Sequence, residues 1–114
     1  MANYANQKTV YMPEDIKETI YPNKKNNDRF IYVKIELIHK ASQLLNGTAF
    51  KLYLYFLEWT RAENFMFSKQ DFMNRYGIPT MSSATNAVQE LKYRGYLKEK
   101  ENKYYFYPIP HTEI

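Results

Sequence analysis

The residues best suited to specific chemistry lie in one run, Thr80 to Arg94, between two of the chain's three glycines. On a helical wheel Ser82, Asn86, Gln89 and Tyr93 fall on one side, flanked by Ser83, Thr85 and Glu90. Ala84, Val88 and Leu91 fall on the other, with Ala87 at their edge. Amides and hydroxyls in such a row recognise a partner by paired hydrogen bonds rather than by making covalent bonds.

Covalent chemistry finds little elsewhere. There is no glycine-rich phosphate loop, no nucleophile elbow and no repeated carboxylate pair at a strand end. The two histidines, His39 and His111, are far apart. Glu36 is three residues before His39 and can share its helix face, but no further ligand is spaced to complete a metal site. Glu14-Asp15, Glu99 and Glu101 fall in stretches that read as surface. The expectation is a protein that is not an enzyme and carries no cofactor and no metal.

With 114 residues, 45% of them hydrophobic and 18% aromatic, the chain can bury a core in one domain without a staple. The absence of cysteine fits the cytoplasm. No signal-type segment opens the sequence, and no run approaches about 18 apolar residues, so no membrane is expected. The net charge is +4. Basic residues exceed acidic ones by five to four in 1–29, four to three in 30–67 and seven to five in 68–114. So mild an excess is compatible with a polyanionic partner without requiring one.

The elements that must position the polar row follow from local pattern. Residues 1–29 form an N-terminal arm, in which "MPEDIKETIYP" suits either a short helix started at Pro13 and stopped by Pro22 or an extended segment. The polar block "NKKNND" separates the arm from a domain over 30–107, followed by a tail, 108–114. "RFIYVKI" alternates as a strand, and "ELIHKASQLLNG" reads as a helix closed by Asn46-Gly47. Thr48 is expected to cap a mostly buried helix, "AFKLYLYFLEWTRAE", with Lys51, Tyr55, Glu58 and Arg61 as its polar stripe.

"FMF" supplies a short strand, and Ser68 caps "KQDFMNRY", with Asp71 at the third helical position. Gly77 ends that helix, Pro79 forbids its continuation, and the next helix runs from about Thr80 to Gly95. "YLKEKENKYYFYPIP" then has a hairpin pattern, with Asn102 tolerating a positive φ and Pro108 and Pro110 ending the second strand. Tyr104, Tyr105 and Tyr107 are expected to pack. The fold class is therefore α+β, a helical core with a C-terminal two-stranded extension.

In this order "LNGTAFKLYLYFL", "FSKQDFMNRYGIP", "SSATNAVQELKYRGYL" and "NKYYFYP" resemble the winged helix-turn-helix family over about residues 30–107. The spacing Ala87-Val88, Leu91, Gly95-Tyr96-Leu97 is the most specific part of the likeness. It is similar to winged-helix proteins of plasmids, phages and conjugative elements in low-GC Gram-positive bacteria, including replication initiators and relaxosome accessory proteins. By that resemblance Ser68–Tyr76 braces against the DNA backbone, Thr80–Arg94 is the recognition helix and Leu97–Tyr107 is the wing.

A recognition helix in the major groove brings its first turns to the base edges, where Asn86 and Gln89 are types that pair bidentately with adenine and Ser82, Ser83 and Thr85 bond to several bases. The N–H groups near Met81 to Ser83 suit a phosphate. The helix departs from a common pattern in carrying no Arg or Lys before Lys92. Either it reads an A·T-rich site and leaves phosphates to Lys69, Arg75, Lys92 and the wing, or readout falls to the wing through Lys98, Lys100, Asn102 and Lys103. Tyr93 is expected at the surface.

The resemblance thus implies a sequence-preferring, duplex DNA-binding protein serving a mobile element at a transfer or replication origin, as a dimer or adjacent copies and alongside other nucleoprotein components. A winged-helix module that binds protein, or a transcriptional repressor, is the alternative.

Overall fold

The computed structural model describes residues 7–11, 20–22, 31–59 and 64–110. Strand β1 is Gln7–Tyr11, β2 Ile20–Pro22 and β3 Ile31–Val33. Two helices follow, α1 Ile35–Leu44 and α2 Gly47–Glu58, then β4 Asn64–Ser68, α3 Lys69–Tyr76 and α4 Met81–Tyr93. The hairpin strands are β5 Leu97–Lys100 and β6 Lys103–Phe106. The class is α+β, with strands before the helices and again after them.

The main sheet has the order β4-β1-β6-β5. In β1 the register sets Gln7 opposite Ser68 and Tyr11 opposite Asn64 in an antiparallel pair with β4, and Val10 opposite Tyr104 in a parallel pair with β6. Five residues of the N-terminal arm thus join β4 to the hairpin. Val10 is buried and Tyr11 stacks on Tyr105 at 5.5 Å. A second, two-stranded sheet pairs β2 with β3, so Ile20–Pro22 at the end of the "MPEDIKETIYP" stretch are extended. The rest of that helix-or-extended stretch, the "NKKNND" block, Arg61 and His111 lie outside the described residues.

Helix α2 is the centre of the core. Ala49, Leu52, Tyr53, Phe56 and Leu57 are buried along it, as the periodicity predicts. Tyr55, expected on the polar stripe, is instead 1% exposed. Its ring contacts those of Phe56, Phe65, Phe67, Phe72 and Tyr76, and its hydroxyl donates to Asp71 Oδ2 at 2.7 Å. Tyrosine can be buried by its ring and satisfied by its tip, so helical position alone underestimates its burial.

The boundary before α2 also departs from expectation. Asn46 does not close α1 with Gly47; its side chain accepts from Ala49 N at 2.9 Å, making it the N-cap of α2, and Gly47 is the first helical residue. Only Leu45 and Asn46 separate the two helices, and both are extended, which leaves no room for a left-handed ending. Ser68 caps α3 as predicted, accepting from Asp71 N.

Candidate nucleic-acid interface

Helix α4 is defined at both ends by local chemistry. Thr80 Oγ1 accepts from Ser83 N at 3.1 Å, and Pro79 stands before the cap. At the other end Gly95 has φ 87°, with Gly95 N bonded to Lys92 O and Tyr96 N to Leu91 O at 2.9 Å. That pair of bonds is a Schellman ending, which requires a left-handed residue and explains the glycine. Gly77, φ 67°, ends α3 in the same conformation.

Packing turns the helix. Ala84, Ala87, Val88 and Leu91 are buried, chiefly against α2, so the opposite face is presented outward. Ser82, Asn86, Gln89 and Tyr93 are exposed, and Tyr93 reaches 80%. Ser83 is half-buried and held in the cap, where Thr80 Oγ1 also donates to its Oγ at 2.9 Å. A shallow cleft of about 310 Å³ runs between Asn46, Gly47 and Thr48 at the start of α2, cap included, and Ser83, Asn86 and Ala87 of α4.

The cations are largely engaged within the molecule. Lys69 Nζ donates to Thr85 Oγ1 at 3.1 Å, tying the start of α3 to α4. Arg75 bonds Glu58 and Asp71 at 3.1 and 3.2 Å and lies over the Trp59 ring, on the α2 side rather than beside α4's polar row. Tyr76 Oη also donates to Glu58. Arg94 pairs with Glu90 at 3.7 Å and lies over Tyr93.

The hairpin turn puts Glu101 and Asn102 at φ 54° and 66°, a primed turn that suits the twist of two-residue hairpins. Lys100, Asn102 and Lys103 are exposed around it, Lys98 is half-buried on β5, and Lys103 lies over Tyr11. Tyr104 is buried and Tyr105 and Tyr107 are half-buried, so all three pack to some degree.

One residue of the site escapes sequence reasoning. Lys8 on β1 bonds Asn102 Oδ1 at 2.6 Å and pairs with Glu99 Oε2 at 3.3 Å, while Lys92 Nζ bonds Glu99 Oε1 at 2.6 Å. Hydrogen bonds from Lys92, then from Lys8, hold the Glu99 carboxyl below its ordinary range. Burial, with Glu99 nearby, pushes the Tyr104 hydroxyl up to about 12. The separation of 94 residues between Lys8 and Asn102 leaves no local signal beyond the alternation around Val10.

Among the described residues no group of three His, Cys, Asp or Glu side chains is placed to hold a metal ion, and no helix is long and apolar enough to cross a membrane. Comparison with family models, curated proteins and solved structures finds no match to this chain.

Proposed function

We propose that this chain is a winged helix-turn-helix protein that binds duplex DNA with sequence preference through the outer face of α4. The observation that carries the reading is the division of that helix. Its small apolar residues are buried against α2, while Ser82, Asn86 and Gln89, short polar side chains suited to base edges, stand in solvent. The order of a helix, the turn at Gly77, α4 and a hairpin is compatible with such a fold and supports the reading.

A single module of this kind binds modestly, and two copies on repeated sites supply useful occupancy. A role at a mobile element's transfer or replication origin follows from the resemblance in sequence pattern.

The test is selection of bound sequences from a random duplex library, followed by titration of the winner and a scrambled control at two salt concentrations. A recovered motif, with affinity that falls steeply as salt rises, supports the reading. Asn86→Ala is expected to weaken the selected duplex by about 1–3 kcal/mol and to leave the scrambled one nearly unchanged. Equal loss on both, or none on either, removes Asn86 from the readout.

A specific observation favours a second reading, a protein-binding module. Exposed Tyr93 and Ile109 share a groove with Lys40, Leu44, Arg94 and Pro110. Sequence-blind binding that disappears near physiological salt would direct attention there.

A further inference from the structure

Helix α4, the hairpin that follows it and the remote strand β1 bring two ammonium groups onto one carboxylate. Lys92 from the last turn of α4 takes Glu99 Oε1, and Lys8 from β1 takes Oε2 and also Asn102 Oδ1 in the hairpin turn. Both Nζ atoms lie over the Tyr104 ring, at 5.4 and 5.7 Å from its centre. A two-oxygen anion is therefore clasped between two cations above an aromatic floor. The non-bridging oxygens of a phosphodiester form the same kind of group.

The position suits a nucleic-acid backbone. Lys92 follows exposed Gln89 by three residues and Thr85 by seven, so it lies on the flank of the proposed reading face. In β5, Glu99 alternates with Lys98 and Lys100 and shares a strand side with buried Leu97, which turns it alone among the three toward α4 and Tyr104. The contacts are not sealed: the side chains of Lys8, Lys92 and Glu99 keep 26%, 27% and 34% of their exposure. Ion pairs this open have small net strength, so a competing anion can displace the carboxylate.

We propose that Lys8 and Lys92, with Asn102 Oδ1 orienting Lys8, form a binding site for a phosphate of the DNA backbone, and that the Glu99 carboxylate occupies it when DNA is absent. This rests on the DNA-binding reading above. Glu99 then acts as a built-in competitor that lowers sequence-independent affinity and leaves discrimination to α4. A purely structural Glu99 predicts something different: loss of stability on substitution and no gain in binding.

The experiment titrates wild type, Glu99→Gln and Glu99→Gln/Lys8→Ala with the selected and scrambled duplexes across a salt series, with a thermal melt of each protein. Glu99→Gln is expected to bind both duplexes about 3- to 10-fold tighter at low salt, with the log–log salt slope steeper by about one contact, and the added Lys8→Ala should cancel most of the gain. Equal or weaker binding by a folded Glu99→Gln protein, with duplex binding by wild type intact, overturns the site alone. Failure of both proteins to bind any duplex overturns the DNA reading and the site with it.

Discussion

Two ionic clusters among the described residues cross-link this molecule, and they differ in what lies behind them. Around Asp71 and Glu58, the carboxylates receive Tyr55 and Tyr76 hydroxyls as well as Arg75, and the tyrosine rings are embedded among Phe56, Phe65, Phe67 and Phe72. Around Glu99 the partners are Lys8 and Lys92, flexible cations reaching over the edge of a ring. The first cluster fixes α2 to α3 by way of buried aromatic area. The second joins β1, α4 and the hairpin through contacts that water and an incoming anion can reach. The ion pairs of both clusters are partly open to solvent, and what sets the first apart is that its carboxylates also accept from the hydroxyls of two tyrosines packed into the aromatic core.

The largest test of that contrast is Tyr55→Ala. Removing the ring should cost about 3–5 kcal/mol of unfolding free energy in urea, as for other buried aromatic truncations. Tyr55→Phe keeps the ring but removes the hydroxyl that donates to Asp71, and is expected to cost about 1.5–3 kcal/mol, the range for a hydrogen bond to a charged group. If the two variants are equally destabilised, the hydroxyl and not the ring holds α2 to α3.

Alkali separates the clusters next. Burial raises the hydroxyls of Tyr53, Tyr55, Tyr76 and Tyr104, the last to about 12, so the unfolded chain loses these protons first. The stability they contribute is present below about pH 10, the unfolded tyrosine value, and falls as pH rises toward 12. Tyr104→Phe should flatten part of that alkaline decline in pH-dependent melts. Glu99 runs the opposite way: its carboxyl is lowered in the fold, so its contribution holds above about pH 4.3 and fades as pH falls through the folded value.

Tyr96→Phe should raise stability by about 1 kcal/mol. Its hydroxyl is buried against Tyr53 with no hydrogen-bond partner among the described residues, so deleting the oxygen removes an uncompensated desolvation. A clear loss in chemical denaturation would mean that the oxygen is bonded after all. Smallest is Glu99→Gln, which should change stability by less than about 1 kcal/mol near neutral pH, because both of its ion pairs are open to solvent.

Sequence by itself determined the parts set by neighbours within a turn or two. Ser68 and Thr80 as caps, Gly77 and Gly95 as left-handed endings, the hairpin turn at Asn102 and the apolar stripe Ala84–Leu91 all depend on dihedral preference and spacing, and all stand where the residues place them. The polar row on α4 was legible for the same reason, since fixing one face of a helix fixes the other.

Tertiary structure decided what depends on partners from distant segments. It assigned Asn46 to α2 because Leu45 and Asn46 are both extended and the Asn46 side chain accepts from Ala49 N. It buried Tyr55 because Asp71, sixteen residues on, could receive its hydroxyl. It also carried Gln7–Tyr11 into the centre of a sheet with β4 and β6, which brought Lys8 to Glu99. Strand pairing is a contact between backbones remote in the chain, so five residues of weak alternation reveal neither that they will pair nor with what.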